Sequence, residues 1–227
     1  MSDLEIEALQ LSFQVALAAV GFSLPIAILV AWVLARKTFL GKTFLDGFVH
    51  LPLILPPVVV GYLLLVGLGR NGIVGSFLFD TFGLTFAFTW KGAAVAAAVM
   101  AFPLMVRAIR LSLESVDQGL EQAARTLGAN PLRVFATVTL PLASPGILTG
   151  AILGFARSLG EFGATITFVS NIPGETRTLP IALYTLTQIP GGEAGAFRLV
   201  VISVIVAFAA LLVSEMMARR LKSRLGG

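Results

Sequence analysis

The sequence predicts an all-α, polytopic membrane helix bundle, and three observations predict it. Of its 227 residues, 57% are hydrophobic and only 12% are charged, against about 45–50% and about 25% in an ordinary soluble domain. Five stretches reach the roughly 20 mostly apolar residues that a spanning helix needs. Lysine and arginine are distributed very unevenly among the segments that join those stretches. A domain of this size could not bury so much apolar surface and keep a wettable exterior, which excludes a soluble enzyme, a disordered tail and a nucleic-acid module. The chain has no cysteine, hence no disulfide framework, thiolate nucleophile or Cys-based metal site. Its one histidine, His50, leaves no His cluster. No catalytic residue, metal or cofactor is expected.

The first span, about 8–35, carries no charge at all. Residues 1–10 hold Asp3, Glu5 and Glu7 and no basic group. The apolar run that follows is too long for a signal-peptide core, so it reads as a retained helix. The second span, about 47–69, has His50 near one end and contains Pro52 and the pair Pro56-Pro57. An internal proline removes a backbone hydrogen bond and clashes one turn back. Lipid cannot satisfy the freed carbonyls, so this stretch should face protein or a watery pathway. The Pro56-Pro57 pair points to a pathway role, whereas the single Pro25 and Pro103 mark ordinary kinks in the first and third spans. The third span, about 88–109, has Lys91 and Arg107 near its ends, where long side chains snorkel.

The fourth span, about 142–168, is apolar except for Arg157 and Glu161. Gly146, Gly150 and Gly154 recur every four residues, a ridge that lets another backbone approach closely. At 100° per residue Arg157 and Glu161 continue nearly the same face, and at i, i+4 they can pair. A charge in the membrane avoids lipid, so this face is directed at protein or water. The pair is either a structural lock in the bundle or a flank of a permeation route whose positive field suits an anion. The fifth span, about 196–217, is interrupted only by Arg198 and Glu215 near its ends. Before it, residues 179–188 form a candidate re-entrant piece, and the polar, Gly- and Pro-rich segment 170–193 is a candidate contact surface.

Orientation follows from the basic residues. One set of joining segments holds Arg36, Lys37, Lys42, Arg107, Arg110, Arg125, Arg133, Arg219, Arg220, Lys222 and Arg224. The other holds Arg70, Lys91, Arg177 and Arg198. The positive-inside rule then puts the N-terminus outside and the C-terminus in the cytoplasm, and turns the net charge of +4 into a topology signal.

Between the third and fourth spans lies a polar cytoplasmic loop, 111–141, longer than an ordinary connection. It reads as two short helices. In 114–127, helix formers accompany Leu113, Leu120 and Leu127, spaced seven apart as a narrow apolar seam. Gly128 ends that helix as a C′ glycine, and Pro131 sits early in the next, where proline is tolerated. A helix pair specified this clearly suggests a docking element for a soluble partner.

Here the chain resembles a known family. Glu121, Gln122, Ala123, Ala124 and Gly128, followed by Val138, Leu140 and Pro141, resemble the EAA loop of ABC-importer permeases, whose pattern is Glu-Ala-Ala, three residues, Gly, nine residues, Ile-x-Leu-Pro. Aligned on Gly128, the glutamate position is occupied by Gln122, with Glu121 one place earlier, and isoleucine by Val138. The runs 50–61, 154–165 and 171–178 extend the resemblance over nearly the whole chain, to the ModB subfamily of molybdate-importer permeases. Sulfate/thiosulfate permeases share a related Arg-x-Leu-Gly-Glu core.

The resemblance implies a type I ABC importer permease fold in a single transmembrane domain, 1–227, in the cytoplasmic (inner) membrane. It implies a homodimer of permeases, two copies of a cytoplasmic ABC ATPase docked on the EAA loops, and a periplasmic molybdate-binding protein. The docking residues would be Glu121, Gln122, Ala123, Ala124, Gly128, Leu140 and Pro141; Pro56, Pro57, Gly150, Gly154, Arg157 and Glu161 are candidates for the pathway or the bundle interior. The chain lacks the Gly-x-x-x-x-Gly-Lys-[Ser/Thr] phosphate loop, so ATP hydrolysis falls to the partner. Alternatives are a permease for tungstate or sulfate/thiosulfate, an ion-coupled secondary transporter and a membrane scaffold. Five spans do not divide into the repeats of a secondary transporter, and a scaffold leaves the Pro-Pro break and the charge pair without a purpose.

Overall fold

The computed structural model describes residues 3–225, with side chains described through Ala210 and at Leu212, Val213 and Met216. All its regular elements are helical. Three helices are long and apolar enough to cross a membrane alone: α1 (Asp3–Arg36), α5 (Trp90–Ser115), and the stretch Glu193–Ala210 that opens α12 (Glu193–Leu225). Two bent pairs qualify only if each counts as one span. In the first, α2 (Lys42–Ile54) meets α3 (Pro57–Leu68) at 113°. In the second, the run Pro131–Leu142 meets α9 (Ser144–Leu159) at 68°. That run comprises α7 (Pro131–Val134), a π-helical turn (Phe135–Thr139) and α8 (Leu140–Leu142). Shorter helices are α4 (Ile73–Phe82), α6 (Gln118–Thr126), α10 (Gly163–Val169) and α11 (Leu179–Thr187).

The core is built from α1, α5 and α9, and small side chains let them approach. Ala19, Ala27 and Ala31 of α1 and Ala93, Ala97 and Ala101 of α5 are all but fully buried. On α9 the glycine ridge faces α5. A Cβ on Gly146 would meet Ser112, one on Gly150 Ile109, and one on Gly154 Met105. The helices therefore gain van der Waals contact along almost bare backbone.

Side-chain bonds sort the helix ends into two groups. At one end the C-terminus of α1 reaches the end of α5, where Arg36 Nη2 donates to the Val116 carbonyl at 3.1 Å. Asp46, near the start of α2, is 3.0 Å from Arg110 of α5. At the other end Ser12 Oγ accepts from the Leu179 amide at 2.7 Å, Glu175 accepts from the Trp90 amide at 3.2 Å, and Arg198 donates to Glu5 at 2.9 Å.

Several expected boundaries are corrected. The helix expected from about residue 47 begins at Lys42 and keeps Pro52 inside α2; the chain turns only at Leu55-Pro56, where both residues are extended. The third span runs on to Ser115, absorbing the expected start of the first loop helix. That helix begins instead at Gln118, because Asp117 caps it by accepting from the Gly119 amide at 2.8 Å. The expected Leu113–Leu120–Leu127 seam is not one buried stripe. Leu113 is fully buried, whereas Leu120 and Leu127 are 50% and 89% exposed, since the break at Val116 rotates α6 out of register with α5. The fourth span is not continuous over 142–168: it kinks at Ala143 and breaks at Gly160–Phe162. Within the segment 179–188, Leu179–Thr187 is helical, with Leu179 and Ile181 buried. The ten-residue α4, too short to span a membrane, was not expected. The side chains of Glu215, Arg219, Arg220, Lys222 and Arg224 lie outside the described ones.

Candidate functional site

The helices that follow the breaks after α2 and α9 meet each other. α3 packs on α10: a Cβ on Gly61 would lie 2.5 Å from the Ala164 carbonyl, and one on Gly163 would lie 2.8 Å from Pro57 Cβ. The breaks at Pro56-Pro57 and Gly160–Phe162 are therefore neighbours. Their chemistry differs. Pro57 opens α3 at a position where its missing amide costs nothing, while Pro56 holds the extended conformation that ends α2. Both prolines are exposed, as are Ile54, Val58 and Tyr62 beside them.

At the second break Glu161 is 2% exposed and lies beyond the end of α9. Its Oε1 accepts from the Ala164 amide at 2.9 Å, so the carboxylate caps α10, and its Oε2 is paired with Arg157. A negative group at a helix start satisfies an otherwise unpaired amide and opposes the positive end of the helix dipole. Arg157, on α9, keeps 27% of its side chain exposed. The expected pairing is present, but it bridges a break rather than decorating one helix face. Gly150 and Gly154 are buried against α5 in the bundle interior. The hydroxyls of Ser158 and Thr165, on either side of the break, are buried without a partner.

The loop is built around its own caps. Gly128 adopts φ +84, its amide and that of Ala129 return to the Arg125 and Ala124 carbonyls, and Asn130 caps α7 by accepting from the Arg133 amide at 2.8 Å. Gln122, Ala123, Gly128 and Pro141 are exposed, whereas Ala124 and Leu140 are half-buried. Leu120, Leu127 and Leu132 of the same loop are exposed as well. Glu121 departs from the expected docking set, because it is buried and points inward. Its Oε1 accepts from Arg36 Nη2 and from Thr139 Oγ1, each at 2.9 Å. Arg36 and Thr139 carry no local signal of this role, and neither do Glu5 and Arg198, paired across the opposite end. Their partners are far away in sequence. Asp117 and Asn130 did carry one, as capping residues before helix formers. Among the described residues no group of three or more metal-ligating side chains comes together.

Residues 23–224 match the family described as "Binding-protein-dependent transport system inner membrane component". The Escherichia coli K12 protein "Molybdenum transport system permease protein ModB" is 64% identical over 226 residues, covering 100% of this chain and 99% of that one. The Haemophilus influenzae protein of the same description is 59% identical over 223 residues, covering 98% and 97%. The sulfate transport system permease protein CysT of Salmonella typhimurium is 40% identical over 161 residues, covering 71% of this chain and 58% of that one. Among solved structures, the inward-facing MetNI methionine ABC transporter has a chain that aligns with a TM-score of 0.75 at 18% identity, covering 97% and 99%. A bacterial ABC importer of alginate aligns with a TM-score of 0.75 at 19% identity, covering 97% and 80%. The bent pairs and the capped loop thus stand in an ABC importer permease fold, and the chain belongs to the binding-protein-dependent transport system inner membrane components.

Proposed function

We propose that this chain is the permease subunit of an ATP-driven importer that carries molybdate across the cytoplasmic membrane. The observation that carries the reading is the 64% identity, over essentially both full lengths, to a molybdenum transport permease. In this reading α1, α2–α3, α5, the run from α7 through α10, and α12 are five spans, with the N-terminus outside and the C-terminus in the cytoplasm. The sorting of helix ends supports that orientation. Arg36, Lys37, Lys42, Arg110, Arg125 and Arg133 belong to the end that carries the loop, and Arg70, Lys91, Arg177 and Arg198 to the other. Two copies form the pathway, each bringing its exposed Pro56–Val59 turn and the neighbouring Arg157–Glu161 pair to the dimer axis.

Two ATPase subunits dock on the surfaces formed by Gln122, Ala123, Gly128 and their exposed leucine neighbours, and a periplasmic binding protein delivers the oxyanion from the other side. The chain does not hydrolyse ATP; it alternates access as the ATPases close. Coupling of this kind requires contacts that differ between the two states. The test is reconstitution with the cognate ATPase and binding protein, comparing molybdate, tungstate and sulfate as stimulants of hydrolysis. Stimulation by molybdate is expected, and a response to sulfate alone would reassign the substrate. Gly128→Val forces a β-branched residue to positive φ and is expected to release the ATPase in co-purification while the permease stays inserted. Undiminished co-purification would remove the loop from the docking role.

A further inference from the structure

We propose that Glu121 is the positioning residue that makes the coupling loop rigid, so that movement of α6 reaches the bundle instead of being absorbed at the loop's joints. The proposal rests on the permease reading above and assigns Glu121 a task separate from docking.

One carboxylate oxygen ties α6 to two other elements and, through Arg36, to a third. Glu121 Oε1 accepts from Arg36 at the end of α1 and from Thr139 at the end of the π-helical turn that leads into α8 and α9. The same Arg36 nitrogen donates to the Val116 carbonyl, where α5 gives way to α6. Both charged side chains are withdrawn from water, 9% exposed for Arg36 and 11% for Glu121. Solvent screening of the pair is therefore weak, and removing either partner leaves the other buried and uncompensated.

Apart from this bond α6 is poorly anchored. Gln118, Gly119, Leu120, Gln122, Ala123, Arg125 and Thr126 are all exposed. The helix hangs between two joints, the extended Val116-Asp117 step and the Gly128–Asn130 turn. A force applied to that exposed face would bend the joints. With Glu121 bonded, it passes to α1 and toward α9, two of the three core helices. Neighbouring residues on a helix point 100° apart, so Gln122 can face a partner while Glu121 faces the bundle.

The experiment uses the full chain co-reconstituted in proteoliposomes with its ATPase and binding protein, reading molybdate uptake per ATP hydrolysed alongside ATPase co-purification. Glu121→Gln and Arg36→Met are expected to keep the ATPase bound and to lower uptake per ATP at least about fivefold, the lower end of a typical allosteric coupling. The double variant should be no worse than either single one, since both remove the same bond. The exchange Arg36→Glu with Glu121→Arg should recover part of the loss by restoring the pair with its charges reversed, whereas a merely structural role would lower the folded yield and leave uptake per ATP unmoved. Thr139→Val removes one hydrogen bond without a charge and should shift the ratio in the same direction, by less. It carries the test if the charge variants do not insert. Unchanged uptake per ATP, additive single losses, or release of the ATPase by Glu121→Gln would each overturn the proposal, the last by returning Glu121 to the docking surface. A wild-type chain that neither binds the ATPase nor responds to molybdate would overturn the permease reading, and the proposal with it. A working wild type with an indifferent Glu121→Gln overturns the proposal alone.

Discussion

The break between α2 and α3 and the break between α9 and α10 lie against each other but are held by different forces. At Pro56-Pro57 the chain turns because two rings fix φ and remove donors, and the residues around the turn stay exposed. At Gly160–Phe162 no proline intervenes. The turn persists because a buried carboxylate caps the new helix with one oxygen and pairs with Arg157 through the other. The first break is covalent and tolerant of its surroundings; the second is an interaction, and fails if one group is removed. A transporter built this way has one fixed corner and one that depends on an ion pair, side by side.

The sharpest way to break this comparison is Glu161→Ala. It leaves the Ala164 amide without its acceptor and Arg157 without its partner, and should cost about 3 kcal/mol, the low end for a broken buried pair because Arg157 is partly solvated. Folded yield and thermal unfolding in detergent measure it. A variant as stable as the parent would put the break down to backbone alone. Gly61→Val comes next: its Cβ would press on the Ala164 carbonyl, separating α3 from α10 at about 2 kcal/mol of overpacking. Thermal unfolding reads this too, and an unshifted transition would show that the two breaks do not depend on each other's position.

Pro57→Ala is expected to change stability by less than about 1 kcal/mol, because that position donates no helical bond in either case and Pro56 still ends α2. Cysteine cross-linking between α2 and α3 that reported a straightened helix would contradict the covalent account.

What was legible in the sequence follows the same division. The Pro-Pro corner, the C′ glycine at Gly128, Pro131 opening its helix and the glycine ridge of α9 are properties of residues acting on their own backbone or packing face. Each could be read where it stands. Arg157 and Glu161 were legible as a pair, being four apart, but not as the staple of a break between two helices, because the continuous apolar run 142–168 carries no mark of where its hydrogen bonds stop. Glu121 was expected among the docking residues, and in the fold its carboxylate is buried against Arg36 and Thr139. The motif places it beside the docking position, but whether a side chain on a short loop helix faces a partner or its own bundle depends on where that helix is anchored.

The sequence by itself determined that this is a membrane helix bundle of the permease kind, where its apolar runs lie and which segments carry the positive charge. These follow from composition, spacing and local backbone chemistry. Only the tertiary structure decided that Glu121 joins Arg36, 85 positions away, that Glu5 joins Arg198, 193 positions away, and that the two breaks share a contact. The physical reason is that a buried charge is satisfied by whatever the packed chain brings within hydrogen-bond reach, and separation in sequence places no limit on that choice.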